Sequence, residues 1–475
     1  MRFTKIIATI GPASNSLEAI TQFSKLGVNI CRLNFSHGDY KNHKKTIEII
    51  RTINRKGGAL AIMIDTKGPE VRTGDSVQAI KIRKGDRVIF TSKPTGKEKL
   101  KTVTVDYDKF ADDVQSARCI LIDNGSIEFR LDKIEKNGSV IAVALEDGSI
   151  GSRRHVNLPG AHISLPSFTP KDLADIKFGI EQNADFFATS FVRSAKDIAE
   201  LRNILKKNNS TGEIIAKIET PQAVEDIDDI IDAADGIMVA RGDLGAEVPF
   251  EDVPRLQEMI VAKCRVRGKP VIVATHMLES MILSPMPTRA EVTDIAYAAK
   301  LQADATMLSG ETAGGMYPMK AVAAMDKILR ASERVEPDFE HLFHHFHSPA
   351  GLNDIHHPKR EQALAACILA ARLSADAILV ITRTGGTAMA VSNCRPLIPI
   401  HAFTDTETRE RQMMMLWGVI PHHIPFSLDR EQTLLTALDL ARKEKFLKKD
   451  QRIVVVSDIQ TDTRSVMTIQ IRTID

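Results

Sequence analysis

A (β/α)8 barrel with a small all-β domain inserted into it and a further α/β domain behind it is the fold class predicted by this chain of 475 residues. Three observations predict it. Eight short apolar, β-branched runs recur along the chain, most of them separated by amphipathic stretches of helical length. The third run is followed by about ninety residues of a different, alternating pattern, far more than an ordinary connection. From Glu361 onward a helix, strand, Gly-rich turn, helix order resumes. A chain of this length exceeds one ordinary core and divides naturally into several domains.

The eight runs are "KIIATIGP", "VNICRLNFSHG", "LAIMIDTKGP", "ADFFATSF", "EIIAKIET", "DGIMVARGD", "PVIVATHMLES" and "ADATMLSGET". Continuous apolar runs suit strands buried on both faces, and alternation with helices implies parallel neighbours. An open doubly wound sheet shares this periodicity. The barrel is favoured because polar and charged residues gather at the C-terminal end of run after run, where barrels of this class keep their chemistry. The insertion, about residues 70–158, carries Lys-Gly, Asn-Gly and Asp-Gly pairs between alternating runs, which is the pattern of hairpins. Standing at the catalytic end of a barrel, it is placed to act as a lid. The barrel is thus expected over 1–69 and 159–340, and the last domain over 341–475.

Between barrel and last domain, "PDFEHLFHHFHSPAGLNDIHHPKR" reads as a linker holding six of the fourteen histidines. Its irregular spacing, without Cys or paired carboxylates, leaves a metal site and a solvated or interface segment both open. Lys and Arg total 63 against 61 Asp and Glu, a net charge of +2, so neither a nucleic-acid field nor an acidic tail is expected. Five cysteines without a CxxC pair fit a reducing compartment. The apolar run in "MRFTKIIATIGPASN" is too short for a signal peptide, and no stretch approaches the ~20 apolar residues of a membrane span. A cytoplasmic, soluble protein is expected, with no nucleic-acid or membrane partner.

The ends of the runs carry the chemistry. Run two offers Arg32, Asn34 and Ser36 at alternate positions, and run three ends in Asp65-Thr66-Lys67. Arginine suits bidentate phosphate capture. One carboxylate among Asn, Ser and Thr oxygens suits a hard cation of low charge such as K+, although a rim hydrogen-bond network would use the same residues. Run five ends with Lys217 and Glu219 on one face, and run six with Arg241, Gly242 and Asp243. Glu219 and Asp243 form the sparse protein ligand set typical of Mg2+, whose octahedron substrate oxygens and waters complete. A structural Lys217–Glu219 ion pair is the alternative. Gly242, placed just ahead of a helix, admits an anion to backbone N–H groups, and Thr275 at the end of run seven offers a hydroxyl beside it.

These motifs resemble pyruvate kinase along nearly the whole chain, from "TKIIATIGPASN" through "RLNFSHG", "IDTKGPEVRTG", "VNLPG", "KIET", "IMVARGDLGAEVP", "ATHMLESM" and "LSGETAGGMYP" to "RPLIPIHAFT". The resemblance implies a TIM barrel with an inserted lid, a C-terminal regulatory domain, a homotetramer, and phosphoryl transfer from phosphoenolpyruvate to ADP giving pyruvate and ATP. It places Arg32 on the substrate phosphate, Asn34, Ser36, Asp65 and Thr66 on K+, and Glu219 and Asp243 on Mg2+ or Mn2+. Lys217 is implied as transition-state stabiliser, with Gly242, Asp243 and Thr275 seating the carboxylate and Ser190 and Arg241 among the substrate positions. Asn34, His37, Arg72 and Arg154 match nucleotide-contacting positions, and Glu70 matches the K+-dependent group of relatives. Proton delivery to the enolate falls to Thr275 through water or to a relay through Ser309 and Glu311.

His276, Thr220 and Gly314 depart from the commonest residues of the family and flank the site. In the last domain "TRTGGT", comprising Thr382, Arg383, Thr384, Gly385, Gly386 and Thr387, links a strand to a helix and offers hydroxyls and N–H groups to a phosphate. A plain strand-to-helix turn is the alternative. The family often uses this loop for a sugar phosphate or a nucleotide monophosphate effector. The closing "SDIQTDTRSVMTIQI" lacks the Gly-rich loop that many relatives add, which leaves the effector open. Two other readings of the chain are a Mg2+-dependent carbon–carbon lyase acting on a 2-oxo acid and a non-catalytic sensor of phosphometabolites.

Overall fold

The computed structural model describes residues 1–94, 100–123, 125–161, 163–333, 358–460 and 465–474. The eight runs form strands β1 (Lys5–Thr9), β2 (Ile30–Asn34) and β3 (Ala61–Asp65), then, beyond the insertion, β12 (Phe186–Thr189), β13 (Glu213–Ile218), β14 (Gly236–Ala240), β15 (Val271–Ala274) and β16 (Ala305–Leu308). They close a parallel barrel in the order β1-β2-β3-β12-β13-β14-β15-β16, and β16 pairs back onto β1 through Lys5 opposite Ala305. The closed barrel excludes the open doubly wound sheet. Nearly every strand position is buried, which is why the runs are continuous and not alternating.

Inward-facing Ile7, Met63, Phe186, Ile215, Met238 and Ile272 fill the barrel, and Met414 and Met415 of the last domain plug its N-terminal mouth. The outer helices start where the sequence provides caps. Thr169 and Asp172 form a capping box ahead of Pro170–Glu181, and Thr288 and Glu291 do the same for Arg289–Lys300.

The insertion holds β4 (Ile80–Ile82), β5 (Arg87–Thr91), β6 (Lys101–Thr104), β7 (Ile120–Ile122), β8 (Ile127–Ile134), β9 (Val140–Ala144), β10 (Gly148–Ile150) and β11 (Val156–Asn157). Six of these form a sheet in the order β11-β7-β8-β9-β5-β6, and β10 pairs with β4. The insertion is all-β as expected, apart from a helical turn, Phe110–Asp113, running into a 3-10 turn at Val114–Ser116. Phe110 and Val114, four residues apart, both drop into the core of the insertion, and that burial selects helical spacing over alternation.

The last domain has a mixed sheet in the order β19-β18-β17-β20-β21, from strands β17 (Ala377–Ile381), β18 (Ile400–Thr404), β19 (Val419–His423), β20 (Arg452–Gln460) and β21 (Ser465–Thr473). Only β20 and β21 are antiparallel. The domain grips the barrel from below. Arg409 pairs with Glu213 at 2.6 Å, Arg411 with Asp185 at 2.9 Å and Arg395 with Asp304 at 2.9 Å, while Trp417 stacks on Phe3 with centroids 4.5 Å apart. The histidine-rich linker, apart from Pro358, Lys359 and Arg360 at its end, lies outside the described residues. Among the described residues no helix is long and apolar enough to cross a membrane.

Candidate active site

A cavity of about 740 Å3 opens at the C-terminal end of the barrel, between β2, β12 and β13 and the two hinges of the insertion. Lys217 sits at its floor. The Nζ donates to Ser190 Oγ at 2.6 Å and to Asp65 Oδ1 at 3.1 Å, and lies 2.9 Å from Glu219 Oε1. Burial alone would favour the neutral amine, but Asp65 and Glu219 outweigh it and hold the pKa above the ordinary lysine value. Lys217 is therefore a fixed cation.

Arg32 lies beside it. Its Nε donates to Asp65 Oδ2 at 2.6 Å and its Nη1 to Thr9 Oγ1 at 3.0 Å. Asp65 is fully buried; desolvation pushes its carboxyl up, yet Arg32 and Lys217 together pull it below the usual range. One carboxylate thus holds two cations in register, and both cations line the cavity.

Glu219 is buried with asymmetric surroundings. Oε2 accepts from Phe191 N at 2.6 Å, and Oε1 is paired with Lys217 Nζ at 2.9 Å. Burial pushes the carboxyl up to about 7, with Lys217 opposing and the Asp243 charge adding to the shift. Two carboxylates facing one cavity, Glu219 and Asp243, are a donor set that fits a divalent cation. Phe191 presents its N–H from a left-handed backbone, φ 54°, directly after Ser190. Gly68 at φ 76° lets the β3 loop close over that turn: a Cβ there would sit 2.8 Å from Ser190 Cβ.

Asn34 and Ser36 line the cavity, and Asn34 Oδ1 accepts from Ser36 N at 3.1 Å. Thr66 lies beneath them, its carbonyl accepting from Ser190 Oγ at 2.7 Å. Carboxylate, amide and hydroxyl oxygens keep spare lone pairs after these bonds, so the four-residue set with Asp65 suits a cation of low charge.

Strand β14 runs straight into a helix, Arg241–Glu247, so Gly242 stands inside its first turn and not ahead of it. Gly242 N donates to Thr275 Oγ1 at 2.7 Å, and Thr275 itself adopts φ 66°. Arg241, expected among the substrate positions, donates to Thr275 O at 2.6 Å and pairs with Asp294 at 2.6 Å. Ser309 and Glu311 stay off the cavity. Glu311 accepts from Leu278 N at 3.0 Å and Ser309 N at 2.7 Å, which makes it a brace for the loops after β15 and β16.

At the hinges, His37 and Arg72 reach the cavity, and Arg72 pairs with Glu70 at 2.8 Å. Arg154 turns away to Asp123 at 3.3 Å. Arg153, which the sequence reading passed over, lines the cavity in its place, held by Asp75 through two bonds at 2.7 and 2.9 Å. Its left-handed backbone, φ 54°, reverses the side-chain direction that an extended strand would give. Lys67 and Glu70, both marked by the sequence, also line the cavity, as does Phe191, which no motif singled out.

In the last domain the loop 382–387 turns β17 into the helix Gly386–Asn393. Thr382 Oγ1 accepts from Gly385 N at 3.1 Å, and Gly385 adopts φ 81°. Arg383 is held by Asp405 at 3.4 Å. A larger cavity of about 920 Å3 lies at the opposite end of the barrel, against the last domain, and holds none of the candidate site residues.

Comparison with known proteins agrees with this arrangement. Residues 1–322 match the family described as pyruvate kinase, barrel domain, and residues 361–471 match pyruvate kinase, alpha/beta domain. Plastidial pyruvate kinase 3 of Arabidopsis thaliana is 43% identical over 459 residues, 96% of this chain and 78% of that protein. Pyruvate kinase of Dictyostelium discoideum is 41% identical over 464 residues, 96% of this chain and 91% of that protein. Pyruvate kinase of Clostridium acetobutylicum is 38% identical over 468 residues, 97% of each. A closed barrel with its charged floor, two matched domains and identity of this extent lead to one conclusion: the chain belongs to the pyruvate kinase family.

Proposed function

We propose that this chain transfers the phosphoryl group of phosphoenolpyruvate to ADP, giving pyruvate and ATP, the last step of glycolysis. The observation that carries the reading is the buried, protonated Lys217 fixed between Asp65, Ser190 and Glu219 at the floor of a cavity that Arg32 also lines. Phosphoryl transfer needs alignment and charge neutralisation more than covalent help. Arg32 offers its remaining donors to the phosphate. Lys217 faces the oxygen that becomes an enolate as the phosphorus departs, and being already held it needs no reorganisation at that moment. The Gly242 N–H and Thr275 Oγ1, now bonded to each other, part to seat the substrate carboxylate. A side chain at position 242 would meet Thr275 at an ordinary 3.5 Å, so packing does not require glycine there, and room for an approaching anion does.

A divalent cation, Mg2+ or Mn2+, held by Glu219 and Asp243, supplies charge neutralisation for the migrating group. K+ held by Asn34, Ser36, Asp65 and Thr66 adds positive charge beside Arg32. His37, Arg72 and Arg153 receive the nucleotide as the insertion, residues 70–158, closes and excludes water. With Glu311 committed to two backbone N–H groups, proton delivery to the enolate carbon falls to water beside Thr275.

We extend the reading to a cytoplasmic homotetramer with a sugar phosphate or nucleotide monophosphate as effector on Thr382 to Thr387. Five free cysteines support a reducing compartment. Phe250, Leu283, Met286 and Met316 are 66 to 83% exposed, apolar surface that association with other copies would cover. Pyruvate formation from phosphoenolpyruvate, assayed with ADP present or omitted and with K+ replaced by a bulky monovalent ammonium ion, tests the activity. ADP-dependent, K+-stimulated turnover is expected; ADP-independent turnover would point instead to a lyase.

A further inference from the structure

The insertion is joined to the barrel by two chain crossings that run side by side: Val156 N donates to Val71 O at 2.9 Å, and Arg72 and His155 form an antiparallel bridge. At the second crossing stands Asn157, the last residue of β11, fully buried and paired through its backbone with Leu121 of the insertion. Its Nδ2 donates to Glu247 Oε1 at 2.6 Å. Glu247 is the last residue of the helix Arg241–Glu247, one turn beyond Asp243. Residues at i and i+4 share a helix face, so a pull on Glu247 also sets the direction of Asp243.

The pair has features that packing does not explain. Glu247 is buried, and its described hydrogen-bond partner is a neutral amide. Burial raises its carboxyl to about 7, Asn157 opposing and the Asp243 charge adding to the rise. Asn157 Oδ1 is itself buried without a donor. A Leu–Leu contact would fill the same space without the desolvation of three polar groups. What an amide–carboxyl contact adds is direction: a short bond that holds at one hinge position and breaks at another.

We propose that Glu247 is a positioning residue: its bond to Asn157 ties the hinge of the insertion to the helix that carries Asp243, so that lid closure and the seating of the divalent cation are one motion. The inference rests on the reading of Asp243 as a metal ligand and of the insertion as a nucleotide lid. A saturating nucleotide then tightens the metal site, and metal tightens the nucleotide, by the same factor.

A double-mutant cycle tests it. Asn157→Ala, Glu247→Ala and the double variant are compared with the native enzyme for the ADP KM, the Mg2+ concentration giving half-maximal turnover and the Mn2+ affinity followed directly by electron paramagnetic resonance with and without ADP, with thermal melts to confirm folding. Each single change is expected to raise both constants together by about tenfold, and the double variant to be no worse than the worse single one. Glu247→Gln keeps an amide oxygen for Asn157 Nδ2 and adds a donor for Asn157 Oδ1; it is expected to stay within about threefold of native. Additive effects, or folded variants with native constants, overturn the coupling. Should the alanine variants fail to fold, Glu247→Asp, one methylene shorter, is read in the same way: native constants there also overturn it. A native enzyme that forms no pyruvate sinks this inference together with the functional reading, whereas an active native enzyme with additive variants sinks the inference alone.

Discussion

Glu219 Oε1 lies 2.9 Å from Lys217 Nζ in a buried ion pair, while the other oxygen of the same carboxylate is held by Phe191 N at 2.6 Å. The carboxylate is thus oriented by the backbone and by Lys217 where it lines the cavity. Replacing Glu219 with Gln keeps the acceptor for Phe191 and removes the charge. Half-saturation of turnover by Mg2+ is expected to rise at least about tenfold, and Mn2+ binding followed directly by electron paramagnetic resonance to weaken in parallel. Unchanged Mn2+ affinity would show that Glu219 is only a structural partner of Lys217.

The two arginines at the second hinge separate cleanly. Arg153 lines the cavity and Arg154 turns to Asp123. Arg153→Ala is expected to raise the ADP KM by about tenfold, with the phosphoenolpyruvate KM little changed, and Arg154→Ala to have a smaller effect on both. The reverse order in steady-state kinetics would return the nucleotide contact to Arg154.

Thr275 is a β-branched residue at φ 66°, a conformation that costs about 1–3 kcal/mol unless its surroundings impose it. Arg241 imposes it by donating to the Thr275 carbonyl and pairing with Asp294. Arg241→Met leaves that carbonyl and carboxylate without their donor. A loss of about 2 kcal/mol in urea unfolding is expected, together with reduced turnover. Native turnover in a destabilised Arg241→Met would make the clamp purely structural.

Glu213 opens β13 at the barrel floor, and burial raises its carboxyl to about 7, Arg409 opposing and Asp235 and Asp185 adding to the rise. The folded protein therefore keeps a proton that the unfolded chain releases near its ordinary value of 4.5. With more protons bound in the folded state, the contribution of Glu213 to stability falls as pH rises from 4.5 toward 7 and is level above that. Glu213→Gln cannot release a proton. Its melting temperature relative to native is expected to be higher at pH 8 than at pH 5, and an equal difference at both would refute the shift.

The barrel was legible because strands buried on both faces must be apolar throughout, and eight such runs with charged ends admit few architectures. Arg32, Asp65, Lys217 and Glu219 were legible as a group because charges at the ends of several buried strands of one barrel must meet at its C-terminal end, whether as a site or as a rim ion-pair network. What escaped was direction. Arg153 and Arg154 are adjacent, and only the left-handed turn at Arg153 decides which of them faces the cavity. The partner that holds Arg241, Asp294, lies 53 positions away and cannot be read from the run that carries the arginine. The backbone N–H of Phe191 leaves no mark in a side-chain pattern, nor does the tie between Asn157 and Glu247, 90 positions apart. The helical turn at Phe110–Asp113 was hidden because its spacing covers a single turn.

The central claim is that Lys217 is a catalytic cation and not the partner of a rim ion pair. Its most direct test is the rate of pyruvate formation from phosphoenolpyruvate and ADP with Mg2+ and K+, measured on the native enzyme and on Lys217→Met. Rapid native turnover that falls by about a thousandfold in the variant, with phosphoenolpyruvate still bound, is the predicted result. A folded Lys217→Met that keeps turnover within a few-fold of native would contradict it.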